Sequence, residues 1–174
     1  MLRPILIHPD PRLKKVCDPV REIDGGVREL ARDMLDTMYH APGIGLAAPQ
    51  VGVNARLIVM DCAKREDEEA VPQPIAMINP EVTWSSDEIR EHEEGCLSIP
   101  EVYAPVSRPE AVTVRWTDLD GQSREATMQG IWATCVQHEI DHLNGKLFID
   151  YLGPMRRQMI TARMKKLKRE RARV

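Results

Sequence analysis

Apolar residues recur at helical spacing in three segments of this chain. In residues 25–40 they fall at i, i+3, i+4, i+7, i+8 and i+11, which predicts an amphipathic helix with Asp24 as its N-cap. The sequence GIWATCVQHEIDHLNG predicts a second helix, which ends at Asn144 and Gly145. Near-helical apolar spacing from Met155 onward predicts a third helix at the C-terminal end.

Between these helices, apolar runs and alternating patterns predict strands. RLIVMD (56–61) predicts a buried strand and PIAMINP (74–80) another, followed by VTW and a polar approach to EGCLSIP. The alternating segment 111–118, the turn sequence DLDGQ and the returning segment 123–129 predict a hairpin. The glycines and prolines of APGIGLAAPQVG and the charges of KREDEE (64–69) predict loops.

These elements predict a single α+β domain, because no repeat or internal linker divides them. We expect mainly antiparallel strands packed around the helix that carries QHEIDH, with an N-terminal helix and a basic C-terminal helix. Residues 1–154 would form the body, and residues 155–174 a helical extension of the same domain. With 174 residues, of which 43% are hydrophobic, the chain is long enough to enclose one core.

Charge is distributed unevenly along the chain. The net charge is −3, yet residues 155–174 carry nine Lys or Arg residues against one acid, Glu170, so the body is strongly acidic. An acidic body with a basic end is typical of a tail that contacts a polyanion. A solvated terminal helix explains the same charges equally well.

Composition also bears on the compartment. Prolines and charges interrupt the opening MLRPILIHPDPRL, and no run approaches the roughly 18 apolar residues of a membrane span. Four widely spaced cysteines without a CxxC pair fit reduced thiols better than a disulfide framework. We therefore expect a cytoplasmic protein without a membrane segment, and by default a monomer.

The motif HEIDH places two histidines four residues apart. At about 100° per residue, His138 and His142 lie on one helical stripe with Ile131 and Cys135 nearly in line, and Glu139 flanks them. This HExxH arrangement lets two imidazoles bind one metal ion while the adjacent carboxylate moves protons. Satisfied surface histidines are the less favoured interpretation.

Two histidines do not complete a catalytic metal site, which usually has three protein ligands and one position for water. Downstream of His142, only Asp150 and Glu170 offer carboxylates, and Glu170 lies within the basic tail. Upstream, EEGCLSIP offers Cys96, whose thiolate would complete a Cys/His/His set. A lone cysteine is more often a small buried hydrophobe, so the residues alone leave the third ligand open.

Three segments together resemble a known family. GIGLAAPQ (43–50), EGCLS (94–98) and QHEIDHLNG (137–145) occur in this order and resemble the signature segments of bacterial peptide deformylase. The resemblance extends from HPDPRL to FIDYLGP, which is nearly the whole chain. It implies a metal-dependent amidohydrolase that removes the N-formyl group from the N-terminal formyl-methionine of nascent polypeptides and releases formate. Residues 1–154 would then be a metallohydrolase domain.

The resemblance implies a role for each motif residue. The metal ligands would be Cys96, His138 and His142. Glu139 would be the general acid/base, and Gln50 and the backbone N–H of Leu97 would donate hydrogen bonds to the developing oxyanion. The substrate would contact Ile44, Gly45, Ile131 and Cys135.

Cofactor and partners also follow from the resemblance. It implies one divalent ion per chain, Fe²⁺ in the cell, with Zn²⁺, Ni²⁺ or Co²⁺ possible in purified protein, because these ligand types do not select one metal. It implies attachment to the ribosome near the exit tunnel through the basic C-terminal helix. We further expect His92 and Trp132 near the substrate pocket, and Asp141 paired with Arg108.

Two other classes of protein share single features of this chain. A zinc peptidase also uses HExxH, but its usual third ligand downstream of the motif has no convincing counterpart here. A non-enzymatic ribosome- or RNA-binding protein would use the basic tail. Residues 155–174 contain no aromatic side chain on which a base could stack, which weakens that interpretation.

Overall fold

The computed structural model describes residues 1–173. Within this range the chain forms four α-helices: α1 Gly25–His40, α2 Ala63–Glu66, α3 Gly130–Leu143 and α4 Pro154–Ala172. The strands are β1 Gly45–Ala47, β2 Leu57–Met60, β3 Ile75–Ser85, β4 Ile89–Cys96, β5 Ile99–Pro109, β6 Ala111–Thr117 and β7 Ser123–Gln129. Short 3-10 helices span Pro11–Lys14, Ala48–Val51 and Phe148–Tyr151.

The strands form two antiparallel sheets. One has five strands in the order β1-β2-β3-β6-β7, and the other is the β4–β5 hairpin. Helix α3 contacts β1, β2 and β7 of the larger sheet and also β5 of the hairpin, so it lies between the two. The predicted α+β domain, with mainly antiparallel strands around the HExxH helix, is confirmed.

Helices α1 and α3 begin and end where the sequence predicts. Asp24 caps α1, since its Oδ1 accepts a hydrogen bond from the backbone N–H of Val27 at 2.9 Å. Met34 on the apolar face of α1 is fully buried in the cluster that also contains residues of β1 and β2. At the end of α3, Asn144 is the C-cap and Gly145 adopts a φ of 74°, which glycine tolerates without strain.

Several expectations for the strands and loops are wrong in extent. The expected loop at 64–69 begins with a short helix, α2, and the expected loop APGIGLAAPQVG contains β1 and a 3-10 helix. Strand β3 continues from the predicted 74–80 through VTW as one strand with bulges. The hairpin of β4 and β5, on either side of CLS, was not predicted. The inner face of β4 carries the polar side chains His92 and Glu94, and prolines interrupt β5, which obscures the period-two pattern.

The basic tail is packed into the body rather than detached from it. Ile160 and Met164 of α4 are buried in a cluster with Leu13, Ile99 and Phe148. This contact fits a helical extension of the same domain, although the boundary at residue 154 stays a prediction. None of the helices formed by residues 1–173 combines the length and apolar character needed to cross a membrane.

Candidate metal centre

Three side chains from two distant segments converge beside the C-terminal half of α3. His138 and His142 lie one turn apart on this helix, and Cys96 ends β4, just before the turn into β5. The potential donor atoms of Cys96, His138 and His142 all lie within 4.8 Å of one another. Cys96 Sγ is 3.4 Å from His142 Nε2. Among residues 1–173 these three form the one such group of potential ligands.

The β4–β5 hairpin holds Glu94 and Arg108 behind this group. Glu94 Oε1 lies 2.9 Å from Nδ1 of His138, so the other ring nitrogen of that histidine is left for the site. Arg108 of β5 donates to both oxygens of Glu94, at 2.6 and 2.9 Å. The three side chains are each less than one-tenth exposed. A carboxylate of this kind fixes the orientation of a metal-binding imidazole.

Sequence analysis missed Glu94, although it stands at the start of EGCLS. The one available signal was alternation along β4, where exposed Glu91 and Glu93 flank half-buried His92 and buried Glu94 lies beyond them. Burial opposes ionisation of Glu94, but hydrogen bonds from His138 and Arg108 hold its pKa below the usual value.

Asp141 occupies the outer side of Arg108. Its Oδ2 accepts a hydrogen bond from Arg108 Nη1 at 2.8 Å and another from the Tyr151 hydroxyl at 2.7 Å. The expected pairing of Asp141 with Arg108 is therefore present. Arg108 thus connects Asp141 with Glu94, and through Glu94 with His138, in one continuous hydrogen-bonded chain behind the ligands.

Glu139 is buried beside the ligands without a partner of its own. It is 4% exposed, and its Oε1 makes no hydrogen bond within the described part of the chain. A Cβ built on Gly45 would lie only 2.5 Å from Glu139 Oε2, so the absence of a side chain at Gly45 gives the carboxylate its space. Burial raises the pKa of Glu139 to about 7.

The protonation of the two histidines suits a cation. Burial and the neighbouring His138 keep the pKa of His142 well below its usual value, so this imidazole is neutral and able to coordinate. Burial also opposes protonation of His138, but Glu139, Cys96 and Glu94 raise its pKa overall. An anionic environment that favours a proton at this position favours a metal ion in its place. The donor set therefore fits a divalent metal.

Gln50 lies on the opposite side of the cysteine. Its Oε1 accepts a hydrogen bond from the backbone N–H of Ala47 at 2.9 Å, which fixes the direction of the amide. Its Nε2 lies 3.1 Å from Ser98 Oγ and 3.5 Å from Cys96 Sγ. Leu97 follows Cys96 in the turn between β4 and β5. The side-chain amide of Gln50 and the turn at Leu97 therefore lie on either side of Cys96 and border the space next to its sulfur.

A cavity of about 790 Å³ opens onto the group. All four residues expected to contact substrate line it: Ile44, Gly45, Ile131 and Cys135. Gln50, Leu97, Cys96, His138 and Glu139 also line this cavity. The structure therefore brings together the residues that the sequence singled out, including residues from segments more than 40 positions apart.

Comparison with known proteins shows the family to which the chain belongs. Residues 2–158 match the model of the family described as polypeptide deformylase. The chain belongs to the polypeptide deformylase family. The bacterial deformylase resemblance is thereby confirmed, and the chain is a metal-dependent hydrolase that acts on N-formylated nascent peptides, as its family does.

Relatives match over nearly the full chain. A peptide deformylase from Methylocella silvestris is 54% identical over 165 residues, which cover 95% of this chain and 84% of the relative. A crystal structure of a peptide deformylase from Legionella pneumophila has a TM-score of 0.90 and 46% identity, covering 100% of this chain and 99% of that one. That of the Ehrlichia chaffeensis deformylase in complex with actinonin has a TM-score of 0.91 and 38% identity, covering 97% and 98%.

Two other candidate residues lie outside the deformylase centre. Asp150, the alternative third ligand, accepts hydrogen bonds from Lys14 Nζ at 2.8 Å and from the backbone N–H of Leu147 at 2.9 Å, so it is already satisfied elsewhere. Trp132 packs against the core between α3 and the larger sheet and does not line the cavity, which corrects the expectation for that residue. His92 does line the cavity, as expected.

Proposed function

We propose that Cys96, His138 and His142 bind one divalent metal ion and that Glu139 transfers protons during deformylation. The observation that carries this assignment is the convergence of three ligand atoms within 4.8 Å beside a buried carboxylate that has no other partner among residues 1–173. Asp150 does not compete for the third position, because it is bound to Lys14.

The roles follow from what the reaction needs. A divalent ion held by Cys96, His138 and His142 would supply Lewis acidity for the formyl carbonyl and for water. Glu139 accepts a proton from the attacking water and later donates it to the amine nitrogen. The C–N bond of the formamide breaks, and formate and a free N-terminal amine leave. Arg108 and Glu94 keep His138 in the required orientation throughout.

Gln50 and the backbone N–H of Leu97 stabilise the oxyanion that develops on the formyl oxygen. The Gln50 amide is held by Ala47 and Ser98 before substrate arrives, so no reorganisation is needed during the reaction. Loss of one such donor typically costs about 10²–10³ in rate. The first side chain of the peptide enters the part of the cavity formed by Ile131 and Cys135, while Ile44 and Gly45 lie along the peptide backbone.

The metal we propose for the cell is Fe²⁺. One thiolate and two imidazoles form a borderline-soft set that also accepts Zn²⁺, Ni²⁺ or Co²⁺. Ferrous iron beside a thiolate reacts with oxygen, whereas zinc and nickel do not. We expect activity of anaerobically purified protein to disappear in air and activity of a nickel-substituted sample to persist. Equal stability of the two samples in air would contradict the iron assignment.

The proton-transfer role is tested with Glu139→Gln. We expect this variant to retain one metal per chain and its thermal stability, and to lose nearly all turnover, because general acid/base catalysis contributes about 10²–10⁴. Cys96→Ala should instead lose the metal, whereas Cys17→Ala, which removes a buried cysteine outside the ligand group, should retain it. Near-normal turnover in metal-loaded Glu139→Gln would contradict the proton-transfer role of Glu139. Tight stoichiometric metal binding by Cys96→Ala would contradict the assignment of Cys96 as a ligand.

We also propose that α4 attaches the enzyme, as a cytoplasmic monomer, to the ribosome near the exit tunnel. Its basic side chains Arg163, Lys166 and Arg169 are exposed, while the opposite face of the helix is buried in the body. Exposed cations on a rigid helix suit contact with the phosphates of ribosomal RNA. Nascent chains emerge there with their formyl groups intact.

Charge substitution is the suitable test for this contact, because deleting α4 would remove part of the core. Arg163→Gln, Lys166→Gln and Arg169→Gln together should weaken salt-sensitive binding to ribosomes at least tenfold without changing deformylation of a free tripeptide. Arg115→Gln, which removes an exposed cation of β6, is the control. Unchanged binding by the triple variant would exclude α4 as the contact.

A further inference from the structure

Two polar side chains in the substrate cavity are without partners. His92 of β4 and Thr134 of α3 both line the cavity, and neither makes a side-chain hydrogen bond to any of the residues that the structure describes. Thr134 is 7% exposed and lines the cavity, so the exposed part of its side chain is reached from the cavity. A polar side chain that lines a cavity without a protein partner is available to hydrogen-bond a ligand.

The two side chains line one slot of the cavity, the part bordered by strand β4 and helix α3. Side chains of strand β4 reach helix α3 at two points: Glu94 contacts His138 at 2.9 Å, and a Cβ built on Gly130 would lie 3.9 Å from Arg90 Nη1. His92 lies midway between Arg90 and Glu94, on the same face of the strand. Thr134 lies midway between Gly130 and His138, on the same face of the helix.

The rise along strand β4 from Glu94 to His92 is similar to the rise along helix α3 from His138 to Thr134. Two residues of a strand advance about 6.7 Å, and four residues of a helix advance about 6 Å. We therefore infer that His92 and Thr134 lie between these two points of approach, one step farther along each element than Glu94 and His138. They occupy the segment of the cavity between the ligands and Ile131, where the proposed function places the first side chain of the peptide.

A methionine side chain would use these groups poorly. Its thioether sulfur is a weak hydrogen-bond acceptor, whereas an imidazole N–H and a threonine hydroxyl are ordinary donors. Oxidation of methionine to the sulfoxide converts the same side chain, with little change in length, into one that carries a strong acceptor oxygen. An apolar slot would leave this oxygen unpaired, which typically costs about tenfold to a hundredfold in affinity.

We propose that the slot formed by His92 and Thr134 accepts methionine sulfoxide, so that the enzyme also deformylates peptides that begin with N-formyl-methionine sulfoxide. His92 and Thr134 donate hydrogen bonds to the sulfoxide oxygen. The reaction itself is unchanged: water adds to the formyl carbon, the C–N bond breaks, and formate and the free amine are released while the sulfoxide is left as it was. This inference rests on the proposed placement of the first side chain beside Ile131.

The test compares three tripeptides that differ in the first residue: formyl-methionine, its sulfoxide, and formyl-norleucine, in which a methylene replaces the sulfur. Metal-loaded wild-type enzyme should process the sulfoxide peptide with a kcat/KM within about tenfold of the methionine peptide. In His92→Leu and Thr134→Val, the ratio of kcat/KM for sulfoxide to that for norleucine should fall about tenfold each. Using a ratio removes losses of metal or of folded protein from the comparison.

Glu91→Gln is the control, because Glu91 lies on the exposed face of the same strand and does not line the cavity. Its sulfoxide to norleucine ratio should stay within twofold of wild type. Discrimination against the sulfoxide by more than a hundredfold in wild-type enzyme, with the methionine peptide processed normally, would overturn this inference and leave the proposed function intact. Failure on all three peptides by fully metallated enzyme would overturn the proposed function itself.

Discussion

Gly45 shows how one missing side chain sets the position of the catalytic carboxylate. A Cβ at this residue would lie 2.5 Å from Glu139 Oε2 and 2.8 Å from Cys135 Sγ, and both neighbours are buried. We expect Gly45→Ala to displace the carboxylate and lower kcat by about a hundredfold, since small misplacements of catalytic groups have costs of this order. The measurement is steady-state formate release from a formyl-methionyl tripeptide.

Gly25→Ala is the control variant for Gly45→Ala, because a Cβ on Gly25 would meet nothing within 4 Å. Metal content should be the same in both variants, since neither residue contacts the ligands directly. Wild-type kcat in Gly45→Ala would show that Glu139 does not need its observed position.

Residues of the site differed in how readily the sequence revealed them. His138, Glu139 and His142 follow from helical geometry, because the spacing within HEIDH alone places them on neighbouring faces. Cys96 needed the family resemblance, since a lone cysteine has no local signature. Glu94 was missed because its function depends on a contact with His138, 44 positions away, that no local pattern specifies.

At the scale of elements, the three long helices α1, α3 and α4 and the β6–β7 hairpin were predictable, whereas the short helix α2 and the β4–β5 hairpin were not. Val102, Ala104 and Val106 of β5 alternate as a half-buried strand should, but three prolines in the same strand weaken that signal. Strand β4 turns Glu94 and His92 inward to serve the site, so its inner face is polar. A strand whose buried face carries functional groups lacks the apolar alternation by which strands are predicted.

Helix α4 contributes to the core through one face only. One of its methionines, Met164, lies on the buried face, and another, Met159, lies on the exposed face. Met164 is 1% exposed and packs with Phe148, whereas Met159 is 71% exposed. We expect Met164→Ala to lower the free energy of unfolding by about 2–5 kcal/mol, because it leaves a cavity. Met159→Ala should change it by less than about 0.5 kcal/mol. Urea unfolding of the two variants checks this difference, and equal effects would mean that α4 is not anchored as described.

At the scale of the whole molecule, carboxylates that are ion-paired with arginines in the folded state should make the protein less stable in acid. Hydrogen bonds from the Arg12 side chain lower the pKa of Asp10 from 3.8 to about 2, and Arg124 lowers that of Asp118. Because a lowered pKa favours the folded state only while the group is ionised, this contribution is complete above about pH 4. It disappears as the pH falls towards 2.

Asp10→Asn isolates one of these contributions. The variant should be less stable than wild type at pH 6, and the difference should shrink as the pH falls below 4. Asp120→Asn, at an exposed turn position without an ion pair within residues 1–173, is the control. The free energy of unfolding, measured in urea from pH 6 to pH 3, gives the comparison. A difference between Asp10→Asn and wild type that grows in acid would have the wrong sign for this explanation.

The central claim is that the Cys96, His138 and His142 centre performs metal-dependent deformylation. It is tested most directly by formate release from a formyl-methionyl tripeptide, with anaerobically purified protein whose metal content is determined on the same sample. We predict release that stops on chelation and returns when Fe²⁺ or Ni²⁺ is added. No release from protein that carries one metal per chain would contradict the claim.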